Sequence, residues 1–238
     1  MHILAVDTAS NAGGVALSRN SEVIGLHMAK TPLKYSEKLI EWVAFLLKQH
    51  ELALADIGLF AVASGPGSFT GLRIGLAAAK AFAQTLGRPA VGISSLEALA
   101  YRFRHVSDTV APVVDARRQQ VYAAVYRVTS AGAEMAQPET ISRPEPWLRS
   151  LPQVEPGKLV FVGDGATLYA STIVNSRPGS RIIASDNCIL AELCQLGSVR
   201  HGQGIVGDAS SLAANYLRPP DVQIKTPGGA KGARAVKG

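Results

Sequence analysis

Two apolar runs, ILAVDT at residues 3–8 and TVAPVVDAR at 109–117, each carry an aspartate near their end, and Asp7 and Asp115 stand 108 residues apart. A short apolar run bounded by turn residues reads as a buried strand. After the first run come a turn at SNAGG (10–14), a strand at VALSR, a tight turn at Asn20 and Ser21, and a strand at EVIGLHMA (22–29). Two hairpins in succession make a three-stranded meander. After the second run, QVYAAVYRV (120–128) alternates as a hairpin partner should, and the segment after Gly132 supplies a third strand. Helix and strand then follow. The first half reads as a helix from a Ser36 cap to about His50, a strand at 57–65, the loop GPGSFTG (65–71) and a helix over 72–86 stopped by Gly87 and Pro89. A short strand at 89–95 and a helix capped by Ser94 or Ser95 complete it. The second half offers a strand and glycine turn at 158–166 and a helix over 188–198 closed by Gly197. This pattern implies an internal duplication: an α/β lobe over 1–103, a divergent second lobe over 104–224 and a disordered basic tail over 225–238. The proline-rich stretch 131–157 reads as irregular surface with one short helix near Trp147.

Composition narrows the function classes. Hydrophobic residues at 47% and charged residues at 18% of 238 exclude a mostly disordered chain. The net charge of +6 owes four charges to Lys225, Lys231, Arg234 and Lys237, so it does not define a nucleic-acid-binding face. Cys188 and Cys194, six apart in one expected helix, make neither a disulfide framework nor a metal half-site. The five histidines show no H-x-x-x-H spacing, so no metal set is expected. No leader and no 18-residue apolar run is read, and the expected compartment is the cytoplasm.

The glycine loop before a helix offers backbone N–H groups to an anion, but it lacks the Walker lysine and the Rossmann spacing. A tight turn accounts for it equally well. Asp7 and Asp115 could hold Mg²⁺ through water near phosphates. With Gly65, Gly67, Ser68 and Gly163 they form a possible vestigial nucleotide site. No nucleophile with a base in reach is evident, so no catalytic residue is assigned.

The two first-half helices carry more apolar surface than one sheet covers. On 36–49, Leu39, Ile40, Val43, Leu46 and Leu47 form a core stripe, and Trp42 and Phe45 widen the arc to about 220°. The helix after the glycine loop is wrapped by Gly75, Ala77, Ala78, Ala79, Ala81, Phe82 and Ala83, which implies burial on nearly every side. A helical protein–protein interface follows as the expectation, with Tyr35, Leu39, Trp42, Val43, Leu46, Arg73, Leu76, Lys80 and Phe82 as its candidate residues.

The segment SGPGSFTGLRIGLAAAKAFA (64–83), the opening ILAVDTA, SSLEALA, VVDARRQQVYAAVY and the closing NYLRP resemble the TsaB (YeaZ) family of tRNA threonylcarbamoyladenosine biosynthesis. The resemblance covers most of 1–220. It implies duplicated ribonuclease-H-like lobes of the actin-like ATPase (ASKHA) superfamily. It also implies a non-catalytic scaffold for TsaD, acting on adenosine 37 of tRNAs that read A-starting codons, with TsaE completing a ternary complex. By the same resemblance the chain binds no cofactor alone, ATP/ADP and a metal ion belong to the partner subunits, and a homodimer forms in isolation. Family members commonly carry a histidine where this chain has Tyr35. The alternative is an ATP-dependent phosphotransferase of the same superfamily.

Overall fold

The computed structural model describes residues 1–30, 35–155 and 157–218. Two five-stranded sheets are built on one plan. The first contains β1 (His2–Asp7), β2 (Gly13–Arg19), β3 (Glu22–Ala29), β4 (Ile57–Gly65) and β5 (Ala90–Ser94), in the spatial order β3-β2-β1-β4-β5. The second contains β6 (Thr109–Asp115), β7 (Val121–Thr129), β8 (Gly132–Ser142), β9 (Leu159–Val162) and β10 (Arg181–Ile183), in the order β8-β7-β6-β9-β10. In each sheet the first strand pairs antiparallel with the second and parallel with the fourth. This is the ribonuclease-H-like order, present twice, and it makes the chain a member of the actin-like α/β fold class.

Helices fill matching places. Between the third and fourth strands lie α1 (Tyr35–Gln49) and α4 (Pro144–Ser150). Between the fourth and fifth lie α2 (Phe69–Leu86) in the first lobe, and α5 (Asp164–Leu168) with α6 (Ala170–Ser176) in the second. After the fifth come α3 (Ser95–Tyr101) and α7 (Leu190–Gly202). The last two are exchanged: α3 packs chiefly on β6, β7 and β8, whereas α7 packs on β1, β2 and β4. Each sheet is thereby covered on both faces. Leu4 and Val6 point to the α1–α2 layer, and Ile3 and Ala5 to a core shared with α3, α7 and the second sheet. The strand period of two divides β4 likewise, Phe60 and Val62 on one side and Leu59 and Ala61 on the other. Strands buried on both faces read as unbroken apolar runs, which is how residues 3–6 read.

Several boundaries depart from the sequence pattern. Ser36 is the second residue of α1 and so does not cap it. Helix α2 begins at Phe69, not 72; Ser68 caps it, its hydroxyl accepting the Gly71 N–H at 3.2 Å. Residues 132–142 form β8, the third strand expected after Gly132 and a half-exposed edge of the sheet rather than irregular surface, and the short helix expected near Trp147 is α4, whose Trp147 and Leu148 enter the second lobe's core. Pro138 is tolerated because β8 is an edge strand. Cys188 precedes α7, which starts at Leu190, and both thiols are free. Gly197 does not close α7. A Cβ there would lie 3.2 Å from the Ala61 methyl, so glycine sets how closely the helix approaches the first sheet. The expected tail, 225–238, lies outside the described residues.

The closest backbone approach is at Gly71, where a Cβ would sit 1.8 Å from the Thr8 carbonyl oxygen. The Thr8 hydroxyl donates to the Gly71 carbonyl at 2.7 Å and holds the first turn of α2 against the end of β1. Gly71→Ala is expected to lower stability by about 3 kcal/mol or more, read from urea unfolding. Glu192 on α7 is buried, and desolvation raises its pKa. A carboxyl whose folded pKa is raised destabilises the fold when ionised, and this effect fades as pH falls through that pKa toward the unfolded value. Glu192→Gln is therefore expected to be more stable than the parent at pH 7, the difference shrinking in acid, checked by thermal melts across pH.

Candidate functional site

Between the lobes lies a cavity of about 280 Å³. Its first-lobe wall is the β1–β2 turn (Ala9, Ser10, Asn11) and the start of α2 (Gly67, Ser68, Phe69). Its second-lobe wall is the end of β6 with the following turn (Asp115, Ala116, Arg117), joined by Asn187 and Ile189. The third wall, Asn215 to Arg218, comes from the segment that returns after α7.

The two aspartates that opened the sequence pattern do different things. Asp7 is fully buried and turned onto its own loop. One carboxylate oxygen accepts the N–H groups of Ala9 (2.8 Å) and Ser10 (3.2 Å), and the other accepts the Ser10 hydroxyl (2.6 Å). Burial raises its pKa, and these hydrogen bonds oppose that rise. Asp115 lines the cavity but accepts the Arg117 N–H at 2.9 Å and pairs with the Arg117 guanidinium at 3.4 Å. Gly67 and Ser68 also line the cavity, whereas Asp7, Gly65 and Gly163 are not in its lining. Gly65 (φ 108°) and Gly163 (φ 99°) are matching left-handed ends of β4 and β9, and a Cβ on them would meet Asn215 O and Val113 O, both at 2.6 Å. Both glycines serve close backbone packing. Among the described residues no group of three or more His, Cys, Asp or Glu could hold a metal ion.

Other residues join the lobes, and sequence reasoning passed over them. Glu139 of β8 accepts the Tyr126 hydroxyl at 2.5 Å, the Ser94 hydroxyl of β5, and the side-chain amide of Asn215. Nη2 of Arg200 on α7 donates to both carboxylate oxygens of Glu97 on α3, each at 2.7 Å, while Nη1 donates to Gly92 O at 2.8 Å. Burial raises the pKa of Glu97, with Arg200 opposing the rise. Arg218 donates to Ala116 O (2.8 Å) and Gln120 Oε1 (2.6 Å), at a turn where Arg117, Arg118 and Gln119 all have positive φ. The NYLRP stretch was the one signal pointing to the last of these.

On the first-lobe helices, Tyr35, Leu39, Trp42, Val43, Leu46 and Leu76 are buried within the lobe's own core. Arg73 is exposed, and Lys80 and Phe82 are half-buried. Trp42 is enclosed because β3 brings the His27 ring to 4.9 Å and Tyr35 stands edge-on at 6.0 Å. Ile40, placed in the core stripe by periodicity, is 57% exposed, and Phe45 is 52% exposed. Helix α2 is not buried on every side: Ala77 and Ala81 face outward beside Arg73 and Gln84. Tyr35 carries a structural load, its hydroxyl accepting the buried Gly13 N–H at 3.2 Å and donating to Ser10 O at 3.3 Å.

A family model described as "TsaD: tRNA N6-adenosine threonylcarbamoyltransferase" matches residues 15–204. Full-length relatives narrow this match. The chain is 32% identical over 228 residues to the tRNA threonylcarbamoyladenosine biosynthesis protein TsaB of Bacillus subtilis, covering 94% of this chain and 97% of that protein. It is 33% identical over 203 residues to the Escherichia coli TsaB, covering 82% and 87%. A solved structure titled "YeaZ from Pseudomonas aeruginosa" superposes with a TM-score of 0.78 at 26% identity, covering 91% of this chain and 99% of that one. The chain belongs to the TsaB family.

Tyr35→Phe removes the acceptor of the buried Gly13 N–H. It is expected to cost about 1–3 kcal/mol of stability while leaving the fold intact, as measured by denaturant unfolding with a circular dichroism spectrum as control.

Proposed function

We propose that this protein is a non-catalytic subunit in formation of threonylcarbamoyladenosine at position 37 of tRNAs reading A-starting codons, and that it acts by binding and activating TsaD. Membership of the TsaB family supports this. The observation that carries it is the outward face of α1 and α2, where Ile40 and Phe45 are large, apolar and more than half exposed and Ala77 and Ala81 are small. Small residues let a second helix approach closely, and large apolar ones reward its arrival with buried area. In this reading TsaD packs helices on that face, with Arg73, Lys80 and Phe82 at its edge. Tyr35, Leu39, Trp42, Val43, Leu46 and Leu76 hold the face in shape from beneath. The same face would form a homodimer when TsaD is absent. TsaE would join a ternary complex, ATP/ADP and a metal ion would sit in those partners, and tRNA would meet the assembly as a whole. The lobe division at 103/104 belongs to this reading, the first lobe serving the partner. No helix among the described residues is long and apolar enough to cross a membrane, and the cytoplasm is the proposed compartment.

A phosphotransferase of the same superfamily would need Asp7 facing the phosphates. Its carboxylate is instead spent on the 9–10 turn. Conformational selection of TsaD needs no reacting group from this chain.

Co-purification with TsaD tests the reading. Ile40→Asp and Ala77→Glu change exposed positions and are expected to leave the melting temperature within a few degrees while weakening retention of TsaD at least tenfold. Charge at Trp42 or Ala79 would report folding instead, since both are buried. Undiminished TsaD retention by both surface variants, or magnesium-dependent ATP turnover by the isolated chain that Asp7→Asn abolishes, would overturn the proposal.

A further inference from the structure

After α7 the chain crosses back to the first lobe. Gly207 forms a two-way bridge with Ala90, with N···O distances of 2.8 and 3.2 Å. Leu212 is buried in the α1–α2 core. Beyond Leu212 the character changes. Ala213 and Tyr216 are exposed, and residues 214, 215, 217 and 218 are half-buried. Asn215, Tyr216, Leu217 and Arg218 form one wall of the interlobe cavity.

This last stretch is held at both lobes by polar and aromatic contacts, together with two half-buried side chains, Ala214 against the α1–α2 core and Leu217 against the shared core. The Asn215 N–H donates to Ser64 O at 2.7 Å. The Tyr216 ring stacks on Phe69 at 4.9 Å, and the Arg73 guanidinium lies 4.0 Å from the centre of that same Phe69 ring. Arg73 Nε points to the Tyr216 hydroxyl at 3.4 Å. At the far end Arg218 grips the 116–120 turn of the second lobe. The Glu139 carboxylate also accepts the Asn215 side-chain amide. These few contacts cost less to release than either lobe core, so the segment can open without unfolding the lobes. Arg73 connects it to the outside. Only its Nε and its ring-facing surface are engaged among the described residues, which leaves the terminal edge of an exposed guanidinium for a carboxylate.

We propose that residues 213–218 are a gate on the interlobe cavity, hinged after Leu212 and latched by the Arg73–Phe69–Tyr216 stack. A partner carboxylate that takes the free edge of Arg73 holds this gate shut. The second half rests on the TsaD-partner reading above; the first half does not. The device ties the outer face of α2 to the cavity through one side chain. Docking that fixes Arg73 also fixes the ring beneath it, and with it the strap that walls the cavity. Arg73 is thus a positioning residue for the gate, and its partner contact is the regulating event.

Amide hydrogen exchange in the full chain, resolved at the Asn215 amide, reports the gate, and the Gly207 amide serves as the upstream reference. In Arg73→Ala and in Tyr216→Ala the Asn215 amide is expected to exchange about tenfold faster, with Gly207 unchanged. Adding TsaD is expected to slow Asn215 exchange in the parent. In Arg73→Ala that slowing is expected to be absent even when TsaD is raised until the variant is saturated. Asn215 exchange unchanged in both variants overturns the latch. Retained TsaD that leaves parental Asn215 exchange unaltered overturns the regulation. Failure of the parent to retain TsaD overturns the partner reading and the regulation together, and the two variants still decide the latch in the free chain.

Discussion

The exchange of α3 and α7 is the constraint on which the rest of the structure depends. Each sheet is apolar on both faces, and a lobe of this size has helices of its own for only one. By sending α3 under the second sheet and α7 under the first, the chain merges what would be two inner faces into one core. Leu96 and Leu99 of α3, Leu193 and Leu196 of α7, and strand residues from both sheets all belong to it. The Arg200–Glu97 pair ties the exchanged helices to each other at 2.7 Å. A partly buried pair of this kind adds orientation more than net stability, because desolvating both charges offsets most of their attraction.

A shared core leaves the lobes little freedom to swing as separate bodies, and that bears on function. A phosphotransferase of this fold would use lobe closure over nucleotide. Here the cavity between the lobes is small. Asp7 is committed to its own loop, and Asp115 is partnered by Arg117. Glu139, reaching from β8 to Ser94 and Asn215, adds a further tie across the divide. What the protein still offers outward is a surface, the solvent side of α1 and α2. A rigid body presenting a fixed apolar face suits a subunit that selects a conformation of its partner.

Much of this was legible in the residues. The duplication could be read because a strand ending in aspartate before a hairpin is a local pattern, and Asp7 and Asp115 occupy matching strand ends in the two sheets. Gly87 marked the end of α2, where it adopts φ 60° as a left-handed cap. Gly197 misled, because a glycine within a helix looks the same in sequence whether it stops the helix or lets a sheet come close. The helical period placed Leu39, Val43, Leu46 and Leu47 inside correctly but put Ile40 with them. Periodicity records which residues share a side, not how far the neighbouring elements extend to cover it. Trp42 shows the reverse, since β3 and His27 enclose what one sheet was not expected to reach.

The sequence by itself determined the alternation of strands and helices, the two-lobed plan and the family, because each depends on neighbours within a few residues or on motifs read in order. Only the tertiary structure decided that α3 and α7 trade sheets, that Asp7 turns away from the cavity, and that residues 215–218 wall it. The helix exchange and the strap are contacts between residues tens to more than a hundred positions apart, set by which apolar faces remain uncovered once the sheets have formed, whereas Asp7 is turned by local bonds to Ala9 and Ser10 that its place in the sequence does not announce. No local pattern of side chains encodes that competition.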